Sequence, residues 1–305
     1  MPLEGWAPVD RDDLLTLEEI ARVVRLLAPH GVERVRITGG EPLVRKGVVS
    51  LVRLIAETPG IREVAMTTNG HLLARHAADL WAAGLRTLNV SIDTFDAARF
   101  AAITRGGDLD EVLVGLKAAG TAGFRAIRIN AVALRGVNAD ALGDFVERCW
   151  ASDWLPRFIE LMPVGGLEFQ TEDRRLTGAA TLAALRERFD LRNTGRAGGD
   201  LPRGPATYWE VQSGHFAGRT VGLINPMSDD GFCEACNRAR LTSRGGLRAC
   251  LANDDEVSIL HAVRSGASDD ALLALCRAAV EGKLEMHRMR DQATVPLTVM
   301  TGIGG

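Results

Sequence analysis

Residues 63–93, EVAMTTNGHLLARHAADLWAAGLRTLNVSID, decide the fold because they contain one complete unit of strand, helix and strand. Residues 63–67 are rich in β-forming side chains and run into a turn, which predicts a strand. Residues 71–83 have helical periodicity and end at Gly84, a residue type that commonly closes a helix. Residues 87–92 again predict a strand. Strands that alternate with helices of this length indicate a parallel sheet with right-handed crossovers, whose strand ends gather on one rim.

The same alternation extends over the first half of the chain. A capping box at Thr16 and Glu19 predicts the start of a helix that ends near Gly31. The other elements predicted in this half are strands at 32–38, 126–132 and 157–162 and helices at 48–57, 109–122 and 140–150. Beyond residue 163 the pattern changes, and the predicted elements are a helix at 182–189, a loop at 193–205, a hairpin of 208–211 with 219–224, and helices at 255–263 and 269–282. This change predicts a division into residues 1–165 and 166–305.

Composition is that of an ordinary globular protein. The chain has 305 residues, of which 46% are hydrophobic and 25% charged, enough for a sizeable core. Its net charge of −3 and pI of about 6.1 provide no global field for nucleic acid or anionic lipid, so any phosphate site must be local. No run is long and apolar enough to span a bilayer. Five cysteines, three of them clustered, favour metal binding in a reducing compartment, so we expect a cytoplasmic protein.

Three thiols at C-x2-C-x13-C spacing form the most specific chemical motif of the chain. They are Cys233, Cys236 and Cys250. Structural zinc takes four protein ligands, whereas an iron–sulfur cluster held by three leaves one iron open to a substrate atom. The neighbouring Arg238 and Arg240 indicate an anionic ligand. From the residues alone, a structural zinc site is also an alternative, with a fourth ligand from Cys149, Cys276 or a histidine.

Polar residues also gather at the predicted strand ends. The turn at 39–42, Gly-Gly-Glu-Pro, frees backbone groups and adds a carboxylate, which suits an amino-acid-like cation that carries its own carboxylate. Asn89, Ser91 and Asp93 share one strand face, which indicates either a ligand or a satisfied polar layer of the core. Forked donors for a triphosphate and a purine edge would come from Arg36, Thr67, Arg128, Arg238 and Arg240. The G-x-x-x-x-G-K-[ST] phosphate loop is absent from the sequence, so nucleotide binding would use side chains.

Several motifs together carry a family resemblance that runs nearly end to end. They are ITGGEPLVR at 37–45, TTNG at 67–70, NVSID at 89–93, FIELMP at 158–163, the C-x2-C-N-R-x-R-L-T block from Cys233 with Cys250, and the terminal Gly304-Gly305. In these motifs the chain resembles the GTP 3′,8-cyclase family of molybdenum cofactor biosynthesis. The resemblance implies a radical S-adenosylmethionine (SAM) lyase with an incomplete (β/α)6 TIM-type barrel, a C-terminal extension and two [4Fe-4S] clusters, one cleaving SAM and one binding GTP. It implies that a SAM-derived radical starts the conversion of GTP to (8S)-3′,8-cyclo-7,8-dihydroguanosine 5′-triphosphate.

Carried over motif by motif, the resemblance also implies the site residues and partners. The SAM-contacting positions would be Gly40, Glu41, Ser91 and Met162. The GTP-contacting positions would be Arg36, Thr67, Arg128, Arg238 and Arg240. The substrate-side cluster would be held by Cys233, Cys236 and Cys250, and Gly304 and Gly305 would form a tail in the active site. The implied partners are GTP, SAM, an electron donor, the next enzyme (cyclic pyranopterin monophosphate synthase) and a second copy in a homodimer, with no nucleic acid and no membrane.

The chain departs from the family pattern in two places. Arg128 stands where the family usually has Lys, which keeps the charge but changes its reach. No cysteine precedes Cys149, so the C-x3-C-x2-C of the SAM-cleaving cluster is absent together with the first barrel strand, and the chain as written would not cleave SAM. Three explanations stay open: a numbering that begins at an internal Met of an intact cyclase, which we favour, a non-catalytic protein that binds GTP or a cluster, and a zinc-stabilised barrel of another activity.

Overall fold

The computed structural model describes residues 10–164, 172–196, 204–234, 236–283 and 285. Its helices are α1 Leu17–Leu27, α2 Val48–Ala56, α3 Leu73–Ala82, α4 Ala97–Thr104, α5 Leu109–Ala122, α6 Leu142–Ala151, α7 Gly178–Arg186, α8 Leu260–Arg264 and α9 Asp269–Glu281. Its strands are β1 Arg34–Ile37, β2 Glu63–Thr68, β3 Thr87–Ser91, β4 Ala126–Ala133, β5 Leu155–Glu160, β6 Leu191–Gly195, β7 Thr207–Val211, β8 Thr220–Ile224, β9 Arg240–Leu241, β10 Gly246–Arg248 and β11 Val257–Ser258.

Eight strands form one sheet in the order β1-β2-β3-β4-β5-β8-β7-β6. Strands β1 to β5 are parallel, β8 joins β5 in the same direction, and β7 and β6 continue antiparallel. The prediction of an α/β fold with a parallel sheet is therefore confirmed. Because the parallel strands run the same way, their carboxyl ends lie along one edge of the sheet, where ligands bind in most α/β proteins.

The hydrophobic core lies between one face of this sheet and the helices that follow its strands. Met66 and Leu88 are fully buried and pair across β2 and β3, and Leu80 of α3 and Leu116 of α5 pack in the same cluster. Complete burial of such a side chain stabilises the fold by about 2 kcal/mol. Since side chains alternate along a strand, the residues between these apolar positions must point to the opposite face.

A second, three-stranded antiparallel sheet in the order β11-β10-β9 lies in the later part of the chain. It is followed by α8 and α9, which pack on α1. Val23 of α1 is buried against Ile259 and Leu272, and Arg22 Nη2 lies 2.9 Å from Asp269 Oδ1. These contacts tie the region that contains the cysteines to the first helix.

Local sequence signals account for most helix starts. The predicted capping box is confirmed, because Glu19 N donates to Thr16 Oγ1 at 3.1 Å and Thr16 N donates to Glu19 Oε2 at 2.7 Å. No helix among the described residues combines the length and the apolar character needed to cross a bilayer.

Several elements differ from the predictions, and strands β9 and β10 were not predicted at all. Helix α4 was not predicted, although Asp96 caps it by accepting a hydrogen bond from Arg99 N at 2.8 Å. Helix α7 begins at Gly178, before the predicted start at residue 182. Residues 193–195, predicted as a loop, belong to β6, because pairing with β7 satisfies their backbone without an apolar period. The predicted helix at 255–263 is divided into the short strand β11 and helix α8.

Candidate functional site

The face of the sheet opposite the hydrophobic core carries polar and charged side chains. Thr67, Asn89 and Arg128 are direct neighbours across β2, β3 and β4, and Asn130 and Arg157 are neighbours across β4 and β5. We call this surface the polar face and define it as Arg36, Thr67, Asn89, Arg128, Asn130, Arg157 and Tyr208. Three of the residues predicted to contact GTP, Arg36, Thr67 and Arg128, therefore lie on one face of the parallel strands.

Arg157 lies at the centre of the polar face and is 1% exposed. Its Nε donates to Asn130 Oδ1 at 2.9 Å and its Nη2 donates to Asn89 Oδ1 at 2.5 Å. Burial, followed by the charge of Arg128, lowers the pKa of Arg157 to about 9. The sequence analysis missed this residue. Its place in the site depends on its register with Asn130 across β4 and β5, which the sequence does not contain.

Arg36 and Arg128 extend the positive charge of the polar face. Burial and then the charges of Arg128 and Arg238 lower the pKa of Arg36. The Arg36 residue is nonetheless exposed to solvent. Burial also lowers the pKa of Arg128, which is 6% exposed and whose Nε has no hydrogen-bond partner among the described residues. Buried charges of one sign are costly unless a ligand of opposite charge compensates them.

The cysteines and their arginines lie next to the polar face. Burial, followed by the charges of Arg238 and Arg36, lowers the pKa of Arg240 to about 10, while negative charge at Cys250 and Cys236 would raise it. The Arg238 guanidinium lies 5.4 Å from the centre of the Phe232 ring. Arg240 therefore lies within electrostatic range of two of the thiols, and both Arg238 and Arg240 lie within range of Arg36.

The three thiols have the chemistry of iron–sulfur ligands. All three are free and partly accessible. Burial raises the pKa of the Cys236 thiol, but the charge and hydrogen bonds of Arg238 and the charge of Lys283 outweigh it, and the pKa falls to about 7. Lys283 Nζ donates to Cys236 O at 2.8 Å and lies 3.5 Å from its Sγ. A thiolate in a cationic environment is the form that binds metal, so these residues fit a cluster.

A site for a single metal ion would be the alternative to a cluster. Within the described ranges, no group of three or more His, Cys, Asp or Glu side chains is close enough to hold a single metal ion. Cys149 and Cys276, the candidates for a fourth zinc ligand, are both buried, and burial raises the pKa of each thiol.

The residues predicted to contact SAM lie at the ends of three parallel strands. Gly40 follows β1, exposed Ser91 ends β3, and Met162 follows β5. Met162 packs on the same apolar cluster as Cys250, a cluster formed by Val164, Met227 and Ala252. The predicted SAM side and the predicted cluster side of the site therefore meet. Gly304 and Gly305, predicted as a tail in the active site, lie outside the described residues.

Glu41 joins two of the strand-end turns. Its Oε1 accepts hydrogen bonds from Leu43 N at 3.0 Å and Thr68 Oγ1 at 2.8 Å, and its Oε2 accepts one from Asn69 N at 2.7 Å. A carboxylate has about four acceptor positions. Glu41 therefore ties the 39–42 turn to the 67–70 turn and keeps one position for a further donor.

Asp93 lies two residues beyond Ser91, after the end of β3. Its Oδ1 accepts a hydrogen bond from Val132 N at 2.8 Å. Burial raises the pKa of Asp93 to about 6, and the Val132 hydrogen bond acts in the opposite direction. The carboxyl group supports the junction of β3 and β4 at the rim of the site.

Comparison with known proteins places this geometry in a family. The chain is 41% identical over 296 residues to GTP 3′,8-cyclase of Heliobacterium modesticaldum, an alignment that covers 96% of this chain and 88% of the relative. The chain belongs to the GTP 3′,8-cyclase family. It is also 39% identical over 296 residues to GTP 3′,8-cyclase 1 of Pseudomonas aeruginosa, with coverage of 97% and 88%. The function predicted from the sequence, a cyclase of molybdenum cofactor biosynthesis, is confirmed at the level of the family.

Two family models and a solved structure agree with this membership. The Radical SAM superfamily model matches residues 6–149 and the Molybdenum Cofactor Synthesis C model matches residues 156–289. The crystal structure of Streptococcus suis SuiB bound to S-adenosylmethionine superposes with a TM-score of 0.57 at 16% identity, over 86% of this chain and 61% of that one. At this identity the superposition shows a common fold only.

Proposed function

We propose that this chain binds GTP between the polar face and the cysteines, as the substrate of the GTP 3′,8-cyclase reaction whose product is (8S)-3′,8-cyclo-7,8-dihydroguanosine 5′-triphosphate. Without ligands for the SAM-cleaving cluster, the chain as written would hold the substrate but would not complete that reaction. The observation that carries the proposal is the position of Arg36, which lies within electrostatic range of the buried Arg128 and Arg157 and also of Arg238 and Arg240, the arginines next to the free thiols. A triphosphate supplies the negative charge and the acceptor oxygens that such a group of guanidinium groups lacks.

The GTP contacts would come from two directions. Arg36, Thr67 and Arg128 would contact the nucleotide from the sheet, and Arg157 would strengthen the same positive field. Arg238 and Arg240 would contact it from the cysteine side. Charge-assisted bonds from several elements would fix the orientation of GTP, which places its ribose for reaction.

The substrate-side cluster would be a [4Fe-4S] held by Cys233, Cys236 and Cys250. When bound, it would present an iron without a protein ligand to the purine. The chain supplies the three thiolates and the nearby positive charges of Arg238 and Lys283, which stabilise a negatively charged cluster.

The SAM side of the site would be formed by Gly40, Glu41, Ser91 and Met162. Glu41 would use its remaining acceptor position for the SAM ammonium group while holding the two turns in place. The chain has no cysteine before Cys149, so its residues do not fit the cluster that cleaves SAM.

We also propose the architecture that this function requires. The parallel strands would curve into a partial (β/α)6 barrel over residues 1–165, and residues 166–305 would form the cluster- and substrate-binding region with Gly304 and Gly305 as an active-site tail. The two family models also divide the chain, but between residues 149 and 156, which lies before the proposed boundary. The partners would be an electron donor, cyclic pyranopterin monophosphate synthase as the next enzyme, and a second copy of the chain.

Metal analysis and GTP titration after anaerobic reconstitution with iron and sulfide test the proposal. We expect about four irons for the site of three thiolates and an electron paramagnetic resonance spectrum that changes when GTP is added. Cys236→Ala should lose this iron, whereas Cys149→Ala, which removes a buried thiol away from the site, should retain it. Zinc without iron would support the zinc-stabilised alternative and overturn the proposal.

Analysis of the SAM reaction separates the two remaining functions. Deoxyadenosine together with the cyclised nucleotide would establish the cyclase. Iron and GTP binding without deoxyadenosine would instead support the alternative of a non-catalytic GTP-binding protein.

A further inference from the structure

Tyr208 occupies the polar face beside Arg157. Tyr208 in β7 and Arg157 in β5 are both direct neighbours of Gly222 in β8. A Cβ atom added to Gly222 would lie 2.9 Å from Arg157 Cγ and 3.0 Å from Tyr208 Cε1. The two side chains therefore close over the glycine from opposite sides, and the absence of a side chain at Gly222 makes this approach possible.

The Tyr208 hydroxyl is buried without a hydrogen-bond partner among the described residues, in a side chain that is 0% exposed. Its charged neighbours on the polar face are Arg36, Arg128 and Arg157. Tyr208 raises the pKa of each of these guanidinium groups. The Tyr208 hydroxyl lies close enough to Arg157 to raise the pKa of Arg157, and in this contact Arg157 can act only as the donor. A guanidinium group has five donors and no acceptor, so none of the three can accept the phenolic proton.

Arg128 also has a buried donor without a hydrogen-bond partner. Its Nε is also buried and has no partner in the part of the chain that the structure describes. Two unsatisfied donors therefore lie on one face among positive charges. Buried polar groups in native proteins are almost always satisfied, and the exceptions indicate a missing water, ion or ligand. The partner required here must accept several hydrogen bonds and carry negative charge, which describes a phosphate group and not a neutral base or sugar.

We propose that Tyr208 is a nucleotide-binding residue whose hydroxyl donates a hydrogen bond to a phosphate oxygen of GTP. This inference rests on the proposed function and adds to it a neutral donor among the arginines. Its role differs from theirs, because a hydroxyl contributes one directed hydrogen bond and no long-range attraction. Tyr208 would therefore help to hold the triphosphate in one orientation.

Tyr208→Phe tests the inference, because it removes the hydroxyl and keeps the ring. In the free protein this change deletes a buried polar atom without a partner, so the melting temperature should be unchanged or higher. The dissociation constant for GTP, measured by isothermal titration calorimetry on the anaerobically reconstituted chain, should increase about tenfold.

Thr194→Val is the matched control. Thr194 Oγ1 donates to Tyr208 O at 3.1 Å, so this change also removes a hydroxyl from the same antiparallel strands, but one that already has a partner. It should lower the melting temperature and leave the dissociation constant for GTP within about twofold of the wild-type value. Equal GTP affinity of Tyr208→Phe and the wild type would overturn the inference.

Fluorine NMR provides an independent measurement, because Tyr208 is the only tyrosine in the sequence. A chain labelled with 3-fluorotyrosine should give one resonance that shifts on addition of GTP or inorganic tripolyphosphate and not on addition of guanosine. A shift with guanosine and none with tripolyphosphate would contradict the phosphate contact. If the wild-type chain binds no GTP at all, the proposed function fails, whereas normal GTP binding by Tyr208→Phe refutes this inference alone.

Discussion

The two faces of the same sheet have opposite compositions. On the face that packs against the helices, the side chains are apolar and almost completely buried: Val64, Met66, Leu88, Val90, Ile127, Ile129, Phe158 and Leu223. On the polar face, residues one position away in the same strands carry guanidinium, amide and hydroxyl groups. Arg157 is as deeply buried there as the adjacent Phe158 on the other face.

This difference separates what the fold requires from what the ligand requires. Burial of the apolar face explains why the strands and helices associate. Burial of arginines on the polar face opposes folding, since the charges lose water and repel one another. A fold that keeps them despite this cost indicates an anionic ligand, and the family membership identifies that ligand as GTP in our proposal.

The largest expected effect is on the apolar face. Leu88→Ala should lower the free energy of unfolding by about 3 kcal/mol, because it removes a fully buried side chain and leaves a cavity. Chemical denaturation would measure this change. GTP affinity of the folded variant should stay within about twofold of the wild type, because Leu88 points away from the polar face. A large loss of affinity in the folded variant would show that the two faces are not independent.

A change on the polar face should instead weaken GTP binding without lowering the free energy of unfolding. Arg128→Met should weaken GTP binding about thirtyfold, or about 2 kcal/mol, because it removes a charge-assisted contact. The unfolding free energy of the unliganded variant should be equal to or higher than that of the wild type, since a buried charge is replaced by an apolar group of similar length. Calorimetric titration and chemical denaturation measure the two quantities.

Arg128→Lys is the control for that prediction. It keeps the positive charge in a side chain of different reach, so it should retain most of the affinity. If Arg128→Lys weakens GTP binding as much as Arg128→Met does, the contact depends on the forked shape of the guanidinium group rather than on its charge. If the Arg128→Met variant binds GTP as tightly as the wild type, Arg128 is not part of the site.

A smaller effect is expected at the rim, where Asp93 has a pKa raised to about 6. A carboxyl group whose pKa is higher in the folded state favours folding when protonated, so its contribution is complete below about pH 4 and is lost as the pH rises through about 6. Between about pH 4 and pH 7, the wild type should lose about 1 kcal/mol of stability relative to Asp93→Asn, since partial exposure reduces the full effect. Parallel pH profiles of the two proteins in urea would test this, and identical profiles would show that the Asp93 pKa is not raised.

Alternating apolar positions were sufficient to predict most of the sheet. The strands around Met66 and Leu88 and the helices between them follow from local periodicity, which reports burial directly. Helix α4 and strand β6 were missed for different reasons. The Asp96 cap was present in the sequence but overlooked, whereas residues 193–195 become a strand only because β7 lies beside them.

The candidate site was only partly predictable. The cysteines and Arg36, Thr67 and Arg128 could be selected from spacing, strand position and resemblance. Arg157 and Tyr208 could not be recognised, because their importance depends on which residues they approach across β5, β8 and β7. Sequence separation between these strands hides that contact, and no local signal marks a buried arginine or tyrosine that lacks an acceptor.

The melting temperature of the anaerobically reconstituted chain with and without GTP tests the central claim, which is that the polar face is a site for a nucleotide triphosphate. At about 100 times the dissociation constant, GTP should stabilise the folded protein by about 2.7 kcal/mol, which corresponds to a shift of several degrees. Guanosine at the same concentration should give little or no shift, because it lacks the phosphates that the arginines require. An equal shift with guanosine, or no shift with GTP, would contradict the account.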